Sequence, residues 1–253
     1  MNGTLHDNEI REPLFDYLEE IYGKIRIIEE KTMGKSRADI VMVRPDRLCG
    51  IEIKSDADTY ARLSSQVKDY DKFFDENIVV VGSSHALHIE EHVPEYWGII
   101  TVEEVDDALD FYELRKPRPN PKADLAKKLS ILWRPELYKL QQWAEMPKYK
   151  EKRKDFVIEK ILERIPDETT DPSEKKLPKN PIYPELLHLK ISELLFERDY
   201  TTVEEDLKEY RKSDLKKALE TEADPQRRLE LMVEQADRSK NLRPRKKRHC
   251  RRK

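Results

Sequence analysis

The stretch from Ser36 to Lys54 constrains the fold more than any other part of the 253-residue chain. It contains two short apolar runs, Ile40–Val43 and Ile51–Ile53, separated by the turn-rich segment Arg44–Gly50. Two such runs around a turn predict a β-hairpin. Alternate side chains of a strand share a face, so the isoleucines of the second run are expected to point into a core.

Three charged residues hold particular positions on this hairpin. Glu52 and Lys54 project from one face of the second strand, and Asp39 opens the first strand, where the hairpin can bring it beside Glu52. Two carboxylates and a lysine on a half-buried face are costly unless something pairs with them. Hard oxygen ligands suit Mg²⁺ or Mn²⁺, so the pattern indicates a divalent metal site. A surface salt bridge is the alternative, because 40% of the residues are charged.

The segments around the hairpin alternate between helical and strand patterns. Apolar residues at three- and four-residue spacing predict helices, and short apolar runs predict strands. Before the hairpin we expect a helix over Asn8–Tyr22, with a start near Glu12 as the alternative because of Pro13, and a strand over Lys24–Glu30. After it we expect a helix over Asp58–Asp75, a strand over Ile78–Gly82, a short helix near Ala86–His92 and a last strand over Trp97–Val102. This order predicts an α/β fold with a mixed central sheet.

Proline-rich and charge-dense segments divide the rest of the chain. Residues 1–115 are expected to form the α/β core, and the alternating prolines of 116–122 predict an extended crossing. Helical patterns interrupted by proline-rich linkers predict a helical extension over 116–198. Residues 199–239 are expected to form a long exposed helix or to be loosely ordered, and residues 240–253 to be a disordered basic tail.

Composition limits the class of protein. With 37% hydrophobic residues and a mean hydropathy of -0.87, part of the chain is expected to be extended or solvated. No apolar run approaches the roughly 20 residues that a membrane span needs, and the first residues lack the basic and apolar regions of a secretory signal. Two cysteines, Cys49 and Cys250, form no metal-ligand pattern. We therefore expect a cytoplasmic protein with no membrane partner.

Charge is unevenly distributed along the chain. From Lys240 onward the sequence carries nine Lys and Arg and no acidic residue, whereas the rest carries 40 basic residues against 52 acidic ones. A basic arm on an acidic body is expected to bind phosphate backbones without sequence preference. A nuclear import signal and a merely solubilising tail are the alternatives. The expected nucleic-acid contacts are Arg245, Lys246, Lys247, Arg248, Arg251 and Arg252.

The charged residues of the hairpin and of the helix after it form a known pattern. Asp39, the Glu52-x-Lys54 triplet and the Gln66-x-x-x-Tyr70 pair resemble the PD-(D/E)xK nuclease superfamily, in its RecB-type branch. The surrounding sequence, from R-I-I-E-E through G-I-E-I-K-S-D to Y-W-G-I, looks like a small bacterial and phage family within it. The predicted order of elements also matches the core of that superfamily.

The resemblance runs from about Asp7 to Arg198 and weakens after Pro117. It implies a restriction-endonuclease-like core, αβββαβ with a mixed central sheet, and a Mg²⁺- or Mn²⁺-dependent nuclease that hydrolyses phosphodiester bonds of DNA, with RNA as the alternative substrate. One departure, Ala38 in place of the proline before the aspartate, is common in the superfamily. The main alternative is a catalytically idle nuclease-fold protein that binds DNA or assists assembly. A third is an interaction protein that binds a protein partner through its charged C-terminal helices.

The resemblance also implies a role for each residue of the motif. Asp39 and Glu52 would be direct ligands of Mg²⁺ or Mn²⁺, together with the backbone carbonyl of Ile53. Lys54 would orient the attacking water and help to deprotonate it, which a lysine with a lowered pKa beside a cation is suited to do.

Further residues would complete the site. Gln66 would hold the scissile phosphate or a metal-bound water, and Tyr70 would brace the helix against the site; a solvent-facing glutamine and a plain core tyrosine are the alternatives. An acid of the first helix often completes such sites, and Glu9 is preferred over Glu12 as the catalytic candidate. Arg37 lies on the same strand face as Asp39 and would contact a phosphate oxygen or form a salt bridge with a site acid.

Overall fold

The computed structural model describes residues 5–33, 36–166, 178 and 180–199. The chain divides into two units, residues 1–198 and 199–253, and only Asp199 of the second unit is among the described residues. The predictions for the charged segment 199–239 and for the basic tail, with its six expected nucleic-acid contacts, therefore lie outside the described residues.

The described part of the chain contains α-helices and β-strands in the order α1, β1–β3, α2, β4–β6, α3–α6. The strands are β1 (Arg26–Met33), β2 (Ser36–Val43), β3 (Leu48–Lys54), β4 (Glu76–Gly82), β5 (Gly98–Val105) and β6 (Ala108–Arg115). The helices are α1 (Asp7–Tyr22), α2 (Leu63–Phe73), α3 (Leu125–Leu129), α4 (Arg134–Trp143), α5 (Lys154–Leu162) and α6 (Pro184–Phe196). None of the described helices is long and apolar enough to cross a membrane.

The strands form one mixed sheet in which spatial order follows chain order, from β1 to β6. The pairs β1–β2, β2–β3 and β5–β6 are antiparallel, and β3–β4 and β4–β5 are parallel. A parallel pair needs a crossover connection, and α2 provides the one between β3 and β4. The prediction of an α/β fold with a mixed sheet and additional helices is confirmed at this level.

Helices cover both faces of the sheet. On one face, Ile10, Leu14 and Leu18 of α1 recur every four residues and pack with sheet residues such as Ile40 and Ile51. The other face carries α2 and the helices of the extension, in a single larger apolar cluster. Strands β3 and β4 are buried along their whole length, which explains their nearly continuous apolar sequence.

Gly50 lets α2 approach β3 closely. A Cβ atom at this position would overlap the ring of Phe74 and lie 2.7 Å from Cδ1 of Tyr70. Because the backbone of β3 has no side chain here, the aromatic rings at the end of α2 rest directly on the strand. This contact fixes the position of Tyr70 relative to the two strands of the hairpin.

Buried polar contacts attach the proline-rich crossing to the end of α2. Asn120 Nδ2 donates to the backbone carbonyls of Asp71 and Phe74 at 2.8 and 2.7 Å, which satisfies carbonyl groups that a helix end leaves unpaired. The Asp71 carboxylate, 3% exposed, accepts from Trp97 Nε1 at 2.9 Å and from the Tyr96 hydroxyl at 2.6 Å. These bonds connect α2, the start of β5 and the extension within the first unit.

The structure differs from the sequence predictions at several elements. Strand β6 was not predicted, and the short helix expected near Ala86–His92 is reduced to a 3₁₀ turn at Ile89–Glu91. The first helix spans Asp7–Tyr22, which confirms the prediction of a helix over Asn8–Tyr22; the alternative start near Glu12 is wrong, since the helix includes Pro13. Inside a helix a proline loses one hydrogen bond, and its ring crowds the carbonyl group four residues earlier. The buried apolar stripe of α1 outweighs this cost.

Candidate active site

Asp39 lies where strands β2 and β3 separate. The two strands pair from Val43 and Leu48 as far as Ile40 and Ile51. Beyond that point Asp39 Oδ2 accepts a hydrogen bond from the backbone N–H of Ile53 at 3.0 Å. The carboxylate therefore satisfies a buried amide that the strand ladder leaves unpaired, and it holds Asp39 against the strand that carries Glu52.

Glu52 and Lys54 project from β3 toward α2 and are 1% and 5% exposed. Lys54 Nζ donates to Glu52 Oε1 at 2.5 Å, and Gln66 Nε2 donates to the same oxygen. The Tyr70 hydroxyl donates to Glu52 Oε2 at 2.7 Å. Three donors therefore compensate a carboxylate charge that would otherwise be costly in the core.

The Tyr70 hydroxyl connects the two acidic positions. Besides donating to Glu52, it accepts from the backbone N–H of Asp39 at 3.2 Å. Burial raises the pKa of Tyr70 well above its usual value, and the charges of Glu52 and Asp39 raise it further. The phenol therefore stays protonated and remains a hydrogen-bond donor to Glu52.

The charge of Asp39 is destabilised at this position. Burial is the main cause that raises the pKa of Asp39 to about 7, and the nearby charge of Glu52 adds to the effect, whereas the hydrogen bond from Ile53 lowers the pKa. Two carboxylates that repel each other in a poorly solvated place gain free energy from a shared cation. The electrostatics of the site therefore favour a bound positive ion.

The oxygen atoms at this place suit Mg²⁺ or Mn²⁺. Two carboxylates and a backbone carbonyl are the hard donors that both ions prefer. Gln66 Oε1 is buried and has no hydrogen-bond partner among the described residues, so an acceptor is left over beside Glu52. The described residues contain no cluster of three or more His, Cys, Asp or Glu side chains placed to hold a metal ion. The candidate site has only two such side chains, Asp39 and Glu52, and its third oxygen ligand would be the backbone carbonyl of Ile53, so it does not count as a cluster of this kind.

A guanidinium group from α1 lies beside the two strands. Arg11 donates through Nε and Nη2 to Asp7 Oδ2 at 3.0 and 2.8 Å. It also forms ion pairs with Glu29 and Glu30, and its Nη2 lies 3.8 Å from Asp39 Oδ1. Burial lowers the pKa of Arg11, but the hydrogen bond to Asp7 and the surrounding carboxylates outweigh it and raise the pKa overall. Arg11 therefore partly neutralises the acidic groups around Asp39.

The acid that α1 brings toward Asp39 is Asp7 and not the predicted Glu9. Glu9 is exposed, and its carboxylate accepts from the backbone N–H of His6 at 2.8 Å as part of a capping box. Asp7, in contrast, is close enough for its charge to raise the pKa of Asp39. Asp7 Oδ1 is buried and has no hydrogen-bond partner among the described residues.

Arg37 forms a salt bridge. Its Nε lies 2.5 Å from Glu30 Oε2, and its side chain is 64% exposed. Of the two interpretations that the sequence left open for Arg37, the structure shows an ion pair, although with an acid of β1 and not with Asp39 or Glu52.

Sequence reasoning missed Asp7 and Arg11. Both lie in the first turns of α1, and their four-residue spacing places them on one helix face, which is the signal that could have identified the pair. That this pair lies beside Asp39 depends on how α1 crosses the sheet, and the sequence alone does not contain that information.

Comparison with known proteins gives one result. The model of a family described as Bacteriophage P4 protein cII matches residues 1–175, a range that includes every described residue of the candidate site. Neither the curated proteins nor the solved structures contain a significant match.

Proposed function

The chain belongs to the bacteriophage P4 protein cII family, and we propose that it is a Mg²⁺- or Mn²⁺-dependent nuclease that hydrolyses phosphodiester bonds, in DNA rather than RNA. The observation that carries this proposal is that Lys54 and Tyr70 both donate to the buried Glu52 carboxylate, while the Tyr70 hydroxyl also accepts from the backbone N–H of Asp39. The Asp39 carboxylate in turn accepts from the N–H of Ile53, next to Glu52. Glu52 and Lys54 are buried and Asp39 is partly buried, an arrangement of charges that is costly to maintain. Metal-dependent hydrolysis would give each of the three groups a purpose.

We also propose that α1, β1–β3, α2 and β4 form a restriction-endonuclease-like core. Three features support it: α1 and the β1–β3 strands precede α2 and β4, the two acids lie where β2 and β3 separate, and α2 packs over them. Strands β5 and β6 and the helices of the extension would then be additions to that core.

The side chains suggest how the reaction would proceed. Asp39, Glu52 and the Ile53 carbonyl would hold the cation, which supplies the charge that stabilises the phosphate and lowers the pKa of the attacking water. Lys54, which is almost fully buried, would exchange its contact with Glu52 for one with that water and take part in proton transfer. Gln66 Oε1 would accept a hydrogen bond from a water at the site, and Tyr70 would keep Glu52 and the backbone of Asp39 in place.

One observation favours the catalytically idle alternative. Both oxygens of Glu52 already accept hydrogen bonds from Lys54, Gln66 and Tyr70. A protein that uses the fold only to bind DNA would need no cation, and the ion pair between Glu52 and Lys54 would then be a structural contact.

Cleavage assays separate the two functions. Plasmid DNA, a single-stranded DNA oligonucleotide and an RNA oligonucleotide would each be incubated with the full chain in Mg²⁺, in Mn²⁺ and in EDTA. We expect metal-dependent cleavage of DNA, lowered about 10²–10⁴-fold in Glu52→Gln and in Lys54→Met. The matched controls are Glu20→Gln and Lys139→Met, which remove the same charges from exposed positions of α1 and α4. A wild-type protein that cleaves none of these substrates with either metal would favour the idle alternative.

A further inference from the structure

Two lysines away from the metal site have only backbone partners in the described part of the chain. Lys31 Nζ on β1 donates to the carbonyl of Ile131 at 3.3 Å, and Lys154 Nζ at the start of α5 donates to the carbonyl of Ser130 at 2.5 Å. Neither lysine forms an ion pair with a described carboxylate, although both are partly buried. Charged groups in such a place usually have a counter-ion.

The acid whose charge acts on both lysines, Glu136, is already paired with another cation. Arg198 donates through Nε and Nη2 to both carboxylate oxygens of Glu136, each at 2.6 Å. Glu136 Oε2 also accepts from the backbone N–H of Trp133 at 2.6 Å, and the guanidinium group stacks 4.0 Å from the Trp133 ring centre. Glu136 and Arg198 therefore neutralise each other. Lys31 and Lys154 lie beside this pair without an ion pair of their own among the described residues, although the charge of Asp155 also acts on Lys154.

Arg198 itself belongs to the same group of cations. Its Nη2 donates to the Ile131 carbonyl at 3.2 Å, which is the carbonyl that also accepts from Lys31. Its Nη1 is buried and has no hydrogen-bond partner among the described residues, although the side chain is 1% exposed. We call Lys31, Lys154 and Arg198 the cation cluster.

The electrostatics of the cation cluster point to a missing anion. Burial lowers the pKa of Lys31 to about 8, and the charges of Arg198 and Lys154 lower it further. The pKa of Lys154 is also lowered, mainly by burial and further by the charge of Arg198, whereas the charges of Glu136 and Asp155 oppose this shift. The backbone amides at the start of α5 add partial positive charge, because no side chain caps the N-terminus of that nine-residue helix.

We propose that the cation cluster binds a phosphate group, and that this group is a backbone phosphate of the nucleic acid held at Asp39 and Glu52. Two lysines and an arginine with an unused N–H supply charge and donors for phosphate oxygens. The uncapped helix start adds further donors, as in other anion sites.

The position of the cation cluster supports the backbone phosphate. Lys31 pairs with Ala38 across β1 and β2, and Ala38 immediately precedes Asp39. The Lys31 ammonium contacts Ile131, which packs on the face of the sheet where α2 contacts Glu52. Lys31 therefore lies on β1, next to the strand that carries Asp39, and its ammonium group lies on the face of the sheet that α2 covers. Naming nucleic acid as the source of the phosphate rests on the proposed function; the phosphate site itself does not.

Thermal unfolding of the full chain in EDTA tests the phosphate site. Inorganic phosphate, compared with sodium chloride at equal ionic strength, should raise the Tm of the wild type, because a ligand that binds only the folded state stabilises it. The Tm of the double variant Lys31→Gln/Lys154→Gln should not respond to phosphate. The control Lys139→Gln, at an exposed position of α4, should respond like the wild type. Removing two mutually repelling charges should leave the double variant folded without ligand.

Fluorescence anisotropy with a short single-stranded DNA, also in EDTA, tests the source of the phosphate. The double variant should bind about tenfold more weakly than Lys139→Gln. Its affinity should also depend less on salt, with a log–log slope that is shallower by about 0.7 for each phosphate that the protein no longer neutralises. If phosphate protects the wild type but the oligonucleotide binds both variants equally, the ligand is a free phosphate compound and the assignment to nucleic acid is overturned.

Two results separate this inference from the proposed function. Equal responses of wild type and double variant to phosphate would overturn the phosphate site, whatever the cleavage assays show. A chain that binds phosphate through the cation cluster but cleaves nothing in Mg²⁺ or Mn²⁺ would contradict the nuclease and leave the phosphate site intact. Glu52→Gln should bind phosphate like the wild type, since Glu52 is not part of the cation cluster.

Discussion

Glu52 is buried in the core, and Lys54, Gln66 and Tyr70 all donate hydrogen bonds to its two oxygens. A buried carboxylate with this many donors is held in one orientation. The same donors decide how the site responds to substitution, since removal of one of them leaves part of the charge uncompensated.

Replacement of Tyr70 by phenylalanine removes one hydroxyl and keeps the ring. Glu52 Oε2 loses a donor and the backbone N–H of Asp39 loses an acceptor, so we expect the free energy of unfolding to fall by about 1–3 kcal/mol. Urea denaturation measures this change. The control Tyr112→Phe removes a hydroxyl from a residue that is 67% exposed and should be nearly neutral. Equal stability of the two variants would contradict the assigned hydrogen bonds.

The raised pKa of Asp39 makes stability depend on pH in a particular direction. Between about pH 4 and pH 7 the folded protein holds a proton on Asp39 that the unfolded chain has released, so this group's contribution falls as the pH rises through that range. This group changes the free energy of unfolding by at most about 1.4 kcal/mol per pH unit. Urea titrations in EDTA should show this component in the wild type and not in Asp39→Asn. An identical pH profile for both proteins would show that the pKa of Asp39 is not raised.

At the residue scale, the sequence predicted which strand residues lie near one another, but not all the groups that surround them. Residue type and spacing were enough to single out Asp39, Glu52 and Lys54, because strand periodicity fixes which side chains share a face. The sequence did not predict a role for Arg11, because its partners lie on three different elements, α1, β1 and β2. Contacts between elements depend on packing angles that local sequence does not encode.

At the scale of elements, the packing of α2 on β3 determines the site. Gly50 is the position at which this packing is closest, and Tyr70 and Phe74 occupy the space that a side chain would need. The short distance between helix and strand therefore depends on a residue that carries no functional group.

A methyl group at Gly50 should disturb the site by displacing the rings of Phe74 and Tyr70. We expect Gly50→Ala to lower the free energy of unfolding by about 1–3 kcal/mol, because the ring of Phe74 has to move in a packed core. It should also weaken metal binding through displacement of Tyr70. The double variant Gly50→Ala/Phe74→Leu should recover part of the stability, which a double-mutant cycle measures. Strictly additive effects would contradict a direct contact between the two positions.

Strand β6 could not be predicted from the pattern of apolar residues. Its alternating pattern follows a turn at Asp106 and Asp107, which adopt positive φ angles of 51° and 62°. Two such residues are typical of a tight hairpin turn, but aspartate is less diagnostic of it than glycine or asparagine. At the edge of the sheet β6 is only half buried, so its apolar content is too low to stand out from a charged surface.

At the scale of the whole molecule, the distribution of charge opposes the proposed substrate. Without the segment that begins at Lys240 the chain carries 40 basic residues against 52 acidic ones. An acidic body repels a polyanion, so binding has to rely on local positive groups such as the cation cluster and on the basic tail.

Deletion of residues 240–253 tests the contribution of the tail. The deletion removes nine basic residues and no acidic ones, so DNA affinity should fall and its salt dependence should become flatter. Anisotropy titrations at several salt concentrations, in EDTA, measure both quantities. A scrambled tail of the same composition should restore binding, because the interaction is with the phosphate backbone. An unchanged salt slope after deletion would contradict this role.

The central claim is that Asp39 and Glu52 together hold one divalent cation. Calorimetric titration of the full chain with Mn²⁺ at about pH 8, where Asp39 is ionised, tests it most directly. We predict binding by the wild type, its loss in Asp39→Asn and in Glu52→Gln, and its retention in Lys54→Met, since the lysine competes with the cation for Glu52 Oε1. Mn²⁺ binding that is the same in the wild type, Asp39→Asn and Glu52→Gln would contradict the claim.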